Sequence, residues 1–278
     1  MDDIRKIKNR IKSVNDTKKI VNAMYLIAST MFTNFKNKLA YSAEYLDASR
    51  RAVGAVSAQT GVQNEYTRQK SGSNAVIVIG SRKGLNGDYS KEIANTAAKL
   101  KSNDKSTELF VMGNNTQKLL REKKISFTGI NNSGAKPNED ELNRVCSLCE
   151  KLFKNEGTGK VSLLYTQFSS NKEAVVFTRL LPLESIESET ERSFVLLPDN
   201  SVITERVVKI YLAAVINNAI LNSFCAEQSS CMLAMDSAGS NAADLLEELE
   251  KQYNHLRQNA ITNEIAEITA GIKGDDKP

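Results

Sequence analysis

Histidine occurs once in the 278 residues, at His255, and cysteine four times, at Cys146, Cys149, Cys225 and Cys231. One histidine supports no Ser-His-Asp set at a recognisable spacing. Cys146-x-x-Cys149 has the spacing of a redox pair or of half a zinc site, but a second Cys-x-x-Cys is missing. Both thiols fall mid-pattern in an amphipathic helix, so buried or half-buried thiols are the expectation. No acidic pair for magnesium can be placed after a strand. No apolar run reaches the length of a membrane span; the longest candidates, such as 76–79, are strand-sized. The N-terminus has no secretory apolar region, and Asp2 and Asp3 speak against an organelle presequence. A soluble, internal protein is expected, one that docks on membrane machinery only through partners. A net charge of +4 is too slight to argue for nucleic acid. A hydrophobic content of 41% is enough for a core and excludes wholesale disorder.

Proline is the most informative absence, since none falls between Pro198 and Pro278. Through that gap apolar or small residues recur at alternating steps of three and four: Val207, Ile210, Ala214, Leu221, Phe224, Cys231, Met235, Ala238, Ala242, Leu245 and Leu249. Only Asn217 and Gln228 interrupt the track. This is the seam of a long helix against one partner helix, about 100 Å long at ~1.5 Å per residue. The partner lies at the other end of the chain. Ile4, Ile7, Ile11, Val14, Val21, Tyr25, Ala28, Phe32, Phe35, Leu39, Leu46, Val53 and Val56 share one track, with Lys18, Ser42 and Ser49 as its exceptions. The economical arrangement is an antiparallel two-helix rod built from the two ends, over 1–58 and 200–273, with a short tail at 274–278. Two unrelated amphipathic helices packed on a globular core are the alternative.

Between them, residues 59–73 read as a loop and 74–198 as an α/β domain. The run 75–79 is a strand covered on both faces. Residues 89–100 have helical spacing, 109–113 form a second strand and 116–123 a short helix. Residues 139–153 form a third helix, with Pro137 just before its first turn. Strands at 161–168 and 174–181 are joined hairpin-fashion, and 194–197 is a last short strand. That order gives a mostly parallel, Rossmann-like sheet with an antiparallel edge.

Gly80-x-x-x-Gly84-x-x-Gly87 follows a strand and opens a helix, the right setting for phosphate on backbone N–H groups. It is neither a Walker A loop nor Gly-x-Gly-x-x-Gly, and tight-turn geometry is the commoner cause of such a run.

The final helix carries Glu227-Gln228-Ser229-Ser230-Cys231-Met232-Leu233-Ala234-Met235-Asp236-Ser237-Ala238 and closes on Ile261-Thr262-Asn263-Glu264-Ile265-Ala266-Glu267-Ile268-Thr269-Ala270-Gly271. It resembles the last helix of the gamma subunit of F-type ATP synthases, the central rotor shaft. Ile11, Ser13-Val14, Thr17, Lys19-Ile20 and Ala23-Met24 fall on the pattern of that family's first helix, and Ser81-Arg82-Lys83-Gly84-Leu85-Asn86-Gly87-Asp88 follows the frame of its Ser-Asp-Arg/Lys-Gly-Leu-Cys-Gly-Gly turn. The likeness covers the whole chain in order. It implies partners: alpha, beta, epsilon and ring c subunits, one copy per complex, at the cytoplasmic face of the cell membrane and touching the membrane only through ring c. It implies no catalytic residue, cofactor or metal. The alpha/beta ring would be contacted by Lys8, Arg10, Lys12, Met24, Asn263, Glu264, Glu267 and Ile268. The foot, facing epsilon and ring c, would use Lys83, Gly84, Leu85, Gly87 and Leu197.

Departures from the family pattern are specific. Arg82 stands for an acid, Asn86 for a cysteine, Asp88 for a glycine, Cys231 for an arginine and Asn263 for a glutamine. Met31, Thr33 and Asn34 stand in a lysine-arginine cluster, and Leu197 for a glutamate. In the family the arginine, the glutamine and the lysine-arginine cluster make polar contacts with the catalytic ring, so the resemblance implies weaker or re-routed coupling contacts here, or a diverged paralogue. The acid replaced by Arg82 implies that the family's salt bridge at the turn is not kept. Independently of the family, a long two-helix seam gives stiffness, and an apolar tip with Ile265, Ile268, Ala270 and Ile272 lowers barriers between equivalent rotary positions. Three other readings stay open: a nucleotide-binding α/β enzyme with helical arms, a gamma-like paralogue in another rotary machine, and a plain coiled-coil scaffold.

Overall fold

The computed structural model describes residues 2–60, 66–132, 134–155, 157–169, 173–183 and 200–275. Helix α1 spans Asp2–Thr60 and the last helix, α5, spans Asn200–Asp275. Between them lie β1 (Ser73–Ile79), α2 (Tyr89–Asn103), β2 (Glu108–Met112), α3 (Asn114–Glu122), β3 (Thr128–Ile130), α4 (Glu139–Lys154), β4 (Thr158–Gln167) and β5 (Ala174–Leu181). The chain divides into two compact units, one of Met1–Ala28 with Met232–Pro278 and one of Ser29–Cys231. Both long helices contribute to each unit, so the division cuts across them.

In the smaller unit α1 and α5 lie side by side. A Cβ added to Gly239 would sit 3.8 Å from Val21 Cγ1 and 3.6 Å from Asn22 Oδ1. Ile4, Ile7, Ile11, Val14, Lys18 and Val21 are half-buried, while Ala28, Met235 and Leu249 are buried. Lys18 joins the seam because a lysine's methylene stem covers apolar surface while its amine reaches water.

In the larger unit the same helices run antiparallel. The Phe35 and Phe224 rings meet at 4.5 Å, and seven residues further along α1 the Ser42 hydroxyl accepts from Asn218 Nδ2 at 3.4 Å. The seam positions Ser42 and Ser49 are both buried. Ile210 departs from its expected place and is 46% exposed. At that level α5 turns another face inward: Val208, Leu212, Ile216 and Ile220 pack on the sheet with Ile77, Leu163 and Leu181. Two competing burial surfaces, a helix and a sheet, pull the stripe off a strict three-four track. The sheet contact also corrects the reading of hydropathy. A window of α5 is long and apolar enough to cross a membrane, and 61% of it is buried inside the fold.

The sheet has the order β3-β2-β1-β4-β5. β1 pairs in parallel with β2 and β4, and β2 with β3. β5 is the antiparallel edge on β4. The central strands are apolar on both faces because helices cover both: α4 and α5 on one side, α2 and α3 on the other. Strand β3 escapes a reading by pattern since three residues carry no period. The strand expected at 194–197 lies outside the described residues.

Candidate functional site

The glycine turn is organised around a carboxylate. Glu227 of α5 is 4% exposed. Its Oε1 accepts from the Arg82 amide (2.9 Å), the Lys83 amide (3.0 Å) and the Ser81 hydroxyl (2.9 Å). Burial raises the Glu227 pKa above the ordinary glutamate range, against the pull of these donors and the Arg82 charge. Amides of the kind that would cradle a phosphate are thus taken by the chain's own anion. Asp88 and Glu92 at the start of α2 add negative charge where a phosphate would sit.

Asn86, 2% exposed, closes the turn. Its Nδ2 donates to Ser81 Oγ (2.9 Å) and to the Lys83 carbonyl (3.0 Å), and its Oδ1 accepts from Ser90 Oγ (2.6 Å). Position 86 suits an amide because it needs a donor and an acceptor at once. Arg82 reaches the other way. Its guanidinium donates to Glu141 of α4, Nη1 to Oε1 at 2.8 Å and Nη2 to Oε2 at 2.5 Å. It also lies over the Phe224 ring at 5.8 Å. Gly80 packs against Thr116, whose hydroxyl accepts from the Ser81 amide at 2.7 Å.

Of the residues expected at a foot, Lys83, Gly84, Leu85 and Gly87 come together here, exposed on the turn. Leu197 lies outside the described residues. The turn is held at Glu227, about 40 Å along α5 from Asn200 at ~1.5 Å per residue. These four residues therefore form one surface and the start of α5 another.

In the smaller unit Lys8, Arg10 and Lys12 are exposed, Met24 is half-buried, and Asn263 and Glu264 are exposed. Described side chains end at Ala266, which leaves Glu267 and Ile268 outside. Ion pairs on α1, Lys6–Asp3 and Lys19–Asp16 at 3.3 Å each, are solvent-exposed and add little stability. Exposed apolar residues accompany the charges: Ile20 (62%), Ile27 (59%), Leu233 (70%) and Ile265 (59%). Cys149 is buried and Cys146 half-buried. Burial first, then neighbouring charge, pushes the two thiols up to about 12 and about 11, which makes both poor nucleophiles.

The sequence reading missed Glu227, Glu141 and the role of Asn86. Glu227 had a signal: it stands three residues after Phe224, so its charge falls on a buried face and needs a donor set. Glu141 had none, because Glu139, Asp140 and Glu141 read alike as first-turn acids.

A long helix at each end of the chain, paired antiparallel beside a five-stranded α/β layer, defines the class of rotary central-stalk subunits, and the comparisons agree. The model of a family described as ATP synthase matches residues 3–274. The ATP synthase gamma chain of Clostridium beijerinckii is 32% identical over 274 residues, 95% of each chain. That of Clostridium perfringens is 34% identical over 280 residues, 96% of each. Among solved structures, the Euglena gracilis mitochondrial ATP synthase rotor superposes with a TM-score of 0.69 at 11% identity, covering 93% of this chain and 98% of that one. The Tetrahymena thermophila central stalk with its c-ring gives 0.59 at 21%, covering 79% and 99%. The chain belongs to the ATP synthase gamma chain family, the central-stalk subunit of F-type ATP synthases.

Proposed function

We propose that the chain turns as a non-catalytic axle inside an alpha/beta ring, with ATP chemistry confined to the beta subunits. One copy serves each complex, on the cytoplasmic face of the cell membrane, and reaches the membrane only through ring c. The observation that carries this reading is the pairing of the chain's own ends, Val21 and Asn22 against Gly239, with exposed cations and apolar side chains around the pair. An asymmetric shaft in a pseudo-symmetric ring biases each catalytic site among its conformations, and does so through differential contact energy. Lys8, Arg10 and Lys12 attract acidic loops in turn, over the ~8–10 Å that cellular salt leaves unscreened. Met24, Asn263, Glu264, Glu267 and Ile268 supply the remaining ring contacts.

Reversing Lys8, Arg10 and Lys12 together to glutamate should lower ATP-driven ion pumping in a reconstituted complex. Unchanged pumping rejects that assignment. For the second surface, Lys83, Gly84, Leu85 and Gly87 face the epsilon subunit and ring c, and Leu197 is assigned to the same partners. A cysteine at Leu85 should cross-link to one of those two; a cross-link to beta instead would move the surface to the catalytic ring.

A further inference from the structure

Arg82 is tied in two directions at once. Its main-chain amide donates to Glu227 on α5 at 2.9 Å. Its guanidinium forms a two-point fork with Glu141 on α4. The two side chains of the fork are 8% and 0% exposed, and Phe224 of α5 covers the guanidinium. Two helices of one unit are thereby joined through a single residue. A buried ion pair of this kind contributes little net stability over a well-packed apolar pair, because both charges lose their water. What it does impose is geometry, since the planar fork fits a carboxylate in one orientation.

What is held in place is the tip of the turn. Leu85 adopts a positive φ of 65° and is 63% exposed. A left-handed leucine is a strained conformation that persists only where the surroundings fix it. Here the Ser81, Asn86 and Glu227 bonds hold one side and the Arg82–Glu141 fork the other.

We propose that Arg82 and Glu141 are positioning residues for torque transfer. They lock α4, and with it the α/β layer, to the turn that α5 holds through Glu227, so that α5 and the layer turn together with the Leu85 tip at a fixed height. The proposal rests on the rotor reading.

The test uses the whole complex reconstituted in liposomes, with the R82M/E141L double variant. Replacing both charges by apolar side chains leaves no unpaired charge at the fork, and Glu227 keeps its Ser81 hydroxyl and Lys83 amide donors, so the fold should stay near its wild-type melting temperature. Ions pumped per ATP hydrolysed should fall below the wild-type ratio, with the double variant showing the larger loss. Amide exchange at Arg82 and Lys83 should quicken by about tenfold while Ile77 and Val78 in β1 stay protected. R82K, which keeps the charge but loses the fork, should fall between the two. A wild-type pumping ratio in the double variant overturns the proposal whatever the exchange shows. Should that variant not assemble, R82K decides alone: a reduced ratio supports the proposal and a wild-type ratio overturns it. A wild-type chain that never copurifies with alpha and beta would instead sink the rotor reading itself.

Discussion

The same helix is buried in two different ways. In the unit of Met1–Ala28 and Met232–Pro278, α5 shows a narrow seam, with Met235 and Leu249 buried and Ile261 and Ile265 46% and 59% exposed. In the unit of Ser29–Cys231 it is buried from Asn218 through Glu227 without a break. There it carries polar side chains that the smaller unit does not bury. Asn222 Oδ1 accepts from the Phe168 amide and Ser223 Oγ from the Thr166 amide, each at 3.2 Å. Tyr89 donates to the Ser223 carbonyl at 2.9 Å. A helix against one helix needs only small or apolar residues. A helix crossing the C-terminal end of a strand must also satisfy amides there that run past the neighbouring strand's pairing, which stops at Leu164 on the β1 side, and such amides cost free energy when buried alone.

Breaking the crowded side has the largest expected effect. Phe224→Ala removes the ring that meets Phe35 and covers Arg82, and should cost about 3–5 kcal/mol by denaturant unfolding. A cost below about 1 kcal/mol would show that this stretch of α5 is not the core it looks to be. Gly80→Ala comes next. Its Cβ would sit within contact of the Thr116 side chain and force a shift, for about 1–3 kcal/mol.

Glu227 sharpens the comparison through pH. The folded chain holds its carboxyl above the ordinary range, so the folded state binds that proton more tightly than the unfolded state. The associated stability is whole below the unfolded pKa and is lost as pH rises through the folded value. Wild-type stability should decline over that window, and E227Q, with no charge to bury, should lack the decline. Parallel curves for the two would contradict the burial argument.

The open side should tolerate more. Gly239→Ala meets only ordinary van der Waals distances and gains helix propensity, a stabilisation of about 0.5–1 kcal/mol in thermal unfolding. Ile265→Ala, on an exposed site, should change stability by less than about 0.5 kcal/mol even if it alters rotation in the complex.

This division also marks how far the residues could be read. A seam against one helix has a single period, so the track from Ile4 to Val56 was legible down to its polar exceptions. Ile210 was not, because a sheet and a helix compete for α5 there. The parallel strands announced themselves by continuous apolar runs, and β3 was too short to do so. The turn was visible as a turn, but its partner Glu227 lies 144–146 positions from the residues it binds, and Glu141 is indistinguishable in sequence from the acids beside it. Long-range pairing of buried charge has no local period, and only the fold shows which carboxylate is chosen.

The central claim is that the two ends of the chain pair into one shaft that turns as a body. A cysteine pair at Asn22 and Gly239, in a chain whose four native cysteines are replaced, tests it directly, since the two positions are within side-chain reach. Mild oxidation should close the disulfide within the subunit, and ATP-driven pumping by the assembled complex should continue at the rate of the reduced form. Failure of the bond to form, or loss of pumping once it has formed, would contradict the account.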